Sequence, residues 1–144
     1  MKFKKFNTIG IEEKKSVMKV MDTGMLSPFL GSWSFDKVIG GFYGGKYLQK
    51  FEKKLSKYFN VKYVIGVNSW TSGLIVALGA IDIEPGDEVI VSPWTMCAGA
   101  TCVLHWAAIP VFADIDANTF NLDPADVEKK ITKKTKAIII PEIF

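Results

Sequence analysis

Residues 84–116, EPGDEVIVSPWTMCAGATCVLHWAAIPVFADID, decide the fold. EPGD (84–87) carries proline and glycine where a chain reversal wants them. EVIVSP (88–93) and PVFADID (110–116) are short, near-continuous apolar runs of strand length. The segment between them, 96–107, is also apolar, but it has the length of a helix. Strand, helix and strand in that order make a crossover unit, whose strands lie parallel and are covered on both faces.

The same alternation continues in both directions. Downstream, NLDPADVEKKI (121–131) offers Asp123 as a helix N-cap, with Pro124 at the first helical position and Asp126 and Glu128 near the positive end of the helix dipole. KAIIIPEIF (136–144) then reads as a further strand. Upstream, 71–81 reads as a helix whose apolar residues on nearly every side predict burial, and VKYVIGV (61–67) as a buried strand. Before it, Leu48, Phe51, Leu55 and Tyr58 recur at three- and four-residue spacing, which predicts an amphipathic helix over 46–59 that ends at Asn60. Four strands interleaved with three helices are the pattern of a parallel α/β sheet. Residues 1–45 differ: a short helix over 12–21 leads into the glycine- and aromatic-rich GMLSPFLGSWSFDKVIGGFYGGK, an irregular arm facing a partner or substrate. The expected organisation is therefore an arm, 1–45, and a sheet domain, 46–144.

Composition excludes several classes. An apolar fraction of 49% with 23% charged residues, over 144 residues, is that of one soluble globular domain. The longest apolar run is well short of the roughly 20 residues that span a bilayer, and no signal-peptide core follows the first lysines, so the expected location is cytoplasmic. The net charge of +3 rests on dispersed lysines rather than a basic stripe interleaved with aromatics, which argues against nucleic acid. Cys97 and Cys102, with His105 nearby, read as two buried thiols and not as a metal site.

Where chemistry would sit follows from the fold. Ligands of an open parallel sheet bind beyond the carboxyl ends of the strands, where loops meet helix N-termini. NSWTSG (68–73) occupies such a place, and the open N–H groups of the next helix, with the hydroxyls of Ser69, Thr71 and Ser72, make an anion cup there. Ser and Thr at a helix start are equally ordinary caps, so these residues alone leave both readings open. GGFYGGK (40–46) follows no strand and lacks nucleotide-loop spacing, which weakens an ATP or NAD reading.

Taken together, the Asn-Ser-x-Thr-Ser cup, EPGDEVIVSPWT, IPVFADID, TFNLDPADVE and ITKKTKAIIIPEIF cover 61–144, and GGKYLQKFEKKLSKYFNVKYVIGVNS extends the pattern upstream to Gly44. In this order they resemble the amino-terminal half of the large domain of the DegT/DnrJ/EryC1/StrS aminotransferases. The resemblance implies a fold type I, aspartate aminotransferase-like α/β domain, truncated after about four strands. It implies pyridoxal 5′-phosphate as cofactor, held at the backbone amides of Thr71 and Ser72, with Met96 in WTMCAG where the family has a ring-stacking aromatic. Methionine can lie on a ring through its thioether, less rigidly than an aromatic. Trp70 stands where many members have a small residue, so its indole points away from the phosphate or joins the substrate pocket. Trp94, two residues before Met96, has three readings: it compensates for the missing aromatic, joins the substrate pocket, or has an ordinary core or interface role. Trp33 and Tyr43 correspond to the region where family members touch substrate.

The family's cofactor-bearing lysine and the carboxylate on the pyridine nitrogen correspond to positions beyond Phe144, so no residue of this chain is assigned a catalytic role. The expectation is the amino-terminal part of a longer, homodimeric enzyme that moves an amino group from an amino acid to a nucleotide-linked keto sugar, the isolated chain being inactive. A sugar dehydratase of the same family, a non-catalytic remnant that binds a full-length partner, and a simple anion-binding module are the alternatives.

Overall fold

The structure is a computed structural model that describes residues 7–26 and 44–143. The chain divides into two compact units, Met1–Gly66 and Val67–Phe144.

In the first unit, α1 (Ile11–Met21) starts where Gly10 donates its backbone N–H to the Glu13 carboxylate at 2.7 Å. A bond from Glu13's own amide, and then this one from Gly10, hold the Glu13 carboxyl below its ordinary range. The second helix, α2 (Lys46–Phe59), spans the expected residues and stops at Asn60, which takes the left-handed conformation at φ 52°. Its inward stripe is not the expected one. Leu48, Glu52, Leu55 and Ser56 are half-buried, whereas Phe51 and Tyr58 face outward.

Glu52 explains the shift, because its carboxylate accepts the N–H of Gly66 at 2.8 Å. A Cβ on Gly66 would lie 2.7 Å from the Leu48 Cδ1, so a larger residue there would need the end of the Leu48 side chain to move aside. The segment 61–67 therefore runs as unpaired chain and is not the buried strand expected: Tyr63 and Ile65 are 74% and 76% exposed. A strand exists only through hydrogen bonds to a neighbour, and among the described residues none pairs with this segment.

The second unit is built on a three-stranded parallel sheet, not four-stranded, in the order β2-β1-β3. The strands are β1 (Glu88–Val91), β2 (Ile109–Phe112) and β3 (Thr135–Ile138), each shorter than its apolar run. Val89 and Val91 point to one face, where they pack with Leu78, Ile83, Cys102, Val103 and Ala108. Ile90 points to the other, against Ala113 and Leu122, with Val127 beside them. Period-two alternation in a strand covered on both sides accounts for this arrangement.

The helices on the first face are α3 (Trp70–Ala80) and α4 (Ala98–His105), and they pack on each other. On the second lies α5 (Pro124–Lys130), started as expected by Asp123, whose carboxylate accepts the Ala125 N–H at 2.9 Å. The all-round burial expected of α3 is not found. Leu78 is its buried side chain and Val76 faces out, because α3 lies on the sheet's outer layer with helix on only part of its circumference.

The ends of the elements fix direction. α3 ends at Ala80 and β1 begins at Glu88; α4 ends at His105 and β2 begins at Ile109, with β1 and β2 parallel and Glu88 opposite Ile109. Gly86 donates its N–H to the Ala107 carbonyl at 3.1 Å, tying the two connections together. Both helices thus finish at the amino edge of the sheet and start toward its carboxyl edge.

Candidate functional site

At the start of α3, Ser69 is the N-cap in extended conformation, and its Oγ accepts the Ser72 N–H at 3.1 Å. The Ser69 and Ser72 hydroxyls lie 2.9 Å apart, and Gly73 donates its N–H to the Ser69 carbonyl at 3.1 Å. Capping is thus a role these serines perform. Thr71 sits in the first turn, where a backbone N–H has no carbonyl one turn behind it to bond. At Gly73 a Cβ would meet the Val67 side chain at 3.4 Å, an ordinary contact, so the space there does not require glycine. The result is a half-exposed helix N-terminus with an open amide, two hydroxyls and the positive end of the helix dipole at one place. Trp70 stands at the first helical position with its indole exposed.

The second group follows β1. Ser92 is buried, and its Oγ accepts the Trp94 N–H at 3.1 Å, turning the chain so that Trp94 faces outward. The Trp94 ring lies 6.0 Å from that of Phe120, tilted by 35°. Met96 is 73% exposed just before α4. Cys97, expected to be buried, is exposed because it occupies the N-cap of α4, outside the packed face. Cys102 is buried as expected; it donates to the Gly99 carbonyl at 3.2 Å, and burial pushes its thiol up.

The third group follows β2. Asp116 accepts the N–H groups of Thr119 and Asn118 at 2.8 and 3.0 Å, which hold its carboxyl below the ordinary range. The turn so made leaves Phe120 at φ 58°, an uncommon conformation for a bulky residue. Asp126 does more than face the helix dipole: it accepts the Asp114 N–H at 2.7 Å and pairs with Lys130 at 3.0 Å. Those contacts, the backbone one first, lower its pKa.

The structure thus places Trp70, Thr71 and Ser72 at the start of α3, and Trp94 and Met96 on the loop that leads into α4. Trp33 and Tyr43 lie outside the described residues. Two residues were missed by sequence reasoning. Phe120 partners Trp94, and its only signal was an aromatic in a polar turn. Trp106, the C-cap of α4, donates its indole N–H to the Ile75 carbonyl of α3 at 3.0 Å and fills the space beside Gly79. The helical glycine at 79 was the signal for it. Among the described residues no group of three His, Cys, Asp or Glu side chains could hold a metal ion, and no helix is long and apolar enough to cross a membrane.

The family model described as the DegT/DnrJ/EryC1/StrS aminotransferase family matches residues 37–144. The chain is 40% identical over 131 residues to the spore coat polysaccharide biosynthesis protein SpsC of Bacillus subtilis (strain 168), covering 91% of this chain and 30% of that protein. It is 39% identical over 132 residues to the GDP-perosamine synthase of Caulobacter vibrioides, covering 92% and 32%. Among solved structures, the aminotransferase from Psychrobacter cryohalolentis matches with a TM-score of 0.82 and 30% identity, over 99% of this chain and 32% of that one. The chain spans about a third of the length of these proteins. Its α/β architecture is that of the fold type I aminotransferases. With the match covering α2 and every element of the second unit, the chain belongs to the DegT/DnrJ/EryC1/StrS aminotransferase family.

Proposed function

We propose that this chain provides the phosphate-holding part of a pyridoxal 5′-phosphate enzyme that moves an amino group from an amino acid to a nucleotide-linked keto sugar, in making a polysaccharide or related sugar. The observation that carries the reading is the N-terminus of α3, where the Thr71 amide is open and the Ser69 and Ser72 hydroxyls converge. The donors present fit a phosphate dianion: an unpaired N–H, rotatable hydroxyls and a helix dipole of the right sign. Thr71 and Ser72 hold the phosphate, and Met96 flanks the ring. Trp70 and Trp94 face the sugar nucleotide; Trp33 and Tyr43, given a substrate role by the family resemblance, lie outside the described residues. When bound, the cofactor supplies the electron sink that lets an amino group leave one carbon and join another. No lysine or carboxylate of this chain is assigned to that step, so the chain on its own binds without turning over. The working enzyme is a cytoplasmic homodimer. Support for the substrate class comes from the two relatives, one named for spore coat polysaccharide biosynthesis and one named as a GDP-perosamine synthase.

The test uses Ser72→Asp. Ser72 is the third residue of α3, where a carboxylate suits the helix dipole and so preserves or raises thermal stability. The same carboxylate repels phosphate. Calorimetric titration with inorganic phosphate and with pyridoxamine 5′-phosphate should show binding by the parent chain and a loss of about tenfold or more in the variant, with Tm unchanged or higher. Equal affinity in both chains would remove the α3 terminus from consideration.

A further inference from the structure

We propose that Trp106 is a positioning residue that sets the distance between the phosphate site at the start of α3 and the Met96 platform at the start of α4. The inference rests on the cofactor reading above. Its observations lie elsewhere, at the middle and far end of α3 and the far end of α4.

The indole N–H of Trp106 donates to the Ile75 carbonyl at 3.0 Å. In a regular helix that carbonyl would receive only the N–H of Gly79, four residues on. The bond from Trp106 therefore adds a second donor from a different helix, at a part-buried site where such a bond is hard for water to replace. The ring itself occupies the space a side chain at 79 would need: a Cβ there would lie 2.5 Å from Cζ2 and 2.9 Å from Cη2. Glycine inside a helix is unfavourable relative to alanine. Here the cost is offset by a close approach that no other residue permits. One side chain thus fixes both the separation of α3 and α4, by contact at Gly79, and their axial register, by the bond to Ile75.

Register matters because both helices run from the carboxyl to the amino edge of the sheet, and each begins with one half of the proposed site. A helix is stiff over the two to three turns involved, so a slip at the Trp106 end carries through to the Thr71 and Met96 end. A ligand held at both places feels that slip. One held only at α3 does not. Burial alone would not require this geometry, since Leu74, Ile75 and Leu78 already pack with Val103 and Cys102 in the same layer. A leucine would fill that layer without adding a directional bond.

The experiment compares a two-point ligand, pyridoxamine 5′-phosphate, with a one-point ligand, inorganic phosphate, on the full chain by calorimetric titration. The amine form avoids adventitious reaction with surface lysines. Trp106→Phe keeps an aromatic beside Gly79 and removes the N–H; Gly79→Ala keeps the indole and forces it away. Each variant should bind pyridoxamine 5′-phosphate about tenfold more weakly while binding inorganic phosphate as the parent does. Unchanged pyridoxamine 5′-phosphate affinity in both variants overturns the inference and leaves the phosphate site standing. Parallel loss of both ligands, following Tm, makes Trp106 a packing residue and also overturns it. A parent chain that binds neither ligand overturns the cofactor reading itself, and this inference with it.

Discussion

VKYVIGV at 61–67 and EVIV at 88–91 are both apolar runs of strand length, and they end in opposite places. Val89 and Ile90 have no exposed surface, whereas Tyr63 and Ile65 are about three-quarters exposed. The difference is in what lies on either side. β1 is hydrogen-bonded to β2 and β3, with α3 and α4 over one face and α5 near the other. The 61–67 run has the flank of α2, held at Gly66 by Glu52. An apolar run becomes a buried strand only when neighbours satisfy its backbone and cover both of its faces.

The contrast can be broken most directly at its centre. Ile90→Ala removes a fully buried side chain between the sheet and the α5 side, and should cost about 2–5 kcal/mol in denaturant unfolding. A loss under 1 kcal/mol would mean that this face of the sheet is not closed as described. Asp123→Ala strikes the same face through its cover, since Asp123 caps α5 and Val127 of α5 packs near Ile90. A loss of about 1 kcal/mol is expected, with the midpoint moved and the slope retained.

A smaller effect tests how α5 is tied to the end of β2. Asp126 has its pKa lowered from 3.8 by the Asp114 N–H and by Lys130. A group depressed in the folded state contributes stability that is fully present above its unfolded pKa and lost as pH falls through the folded one. Melting of the parent between pH 6 and pH 2 should therefore fall at the acid end, and Asp126→Asn should flatten that fall. Coincident curves would show that the pair contributes nothing measurable. Smallest of all should be Ile65→Ala, within about 0.5 kcal/mol despite removing the same atoms as Ile90→Ala. A larger loss would show that the 61–67 segment is covered after all.

Much of the site was legible because its parts are local. A cap needs only Ser69 and the amide of Ser72 three residues on, and Asp123 before Pro124 announces the start of α5 in the same way. The exposure of Cys97 and the one-sided burial of α3 were not legible. Apolar character states what a residue can tolerate, while burial depends on whether another element arrives to cover it. Trp106 was hidden for the same reason: its partners, Ile75 and Gly79, lie about thirty residues away in sequence.

By itself the sequence determined most of the alternation of helix and strand, the turn at 84–87, the cap of α5 at Asp123, the start and stop of α2, and the family. All of these follow from short-range chemistry or from motif order. Only the tertiary structure decided that 61–67 stays out of the sheet, that α2 turns Glu52 inward and Phe51 out, and that an indole joins α3 to α4. Those outcomes depend on which surfaces meet, and close contacts between distant residues are set by the packing of the whole unit rather than by any stretch of it.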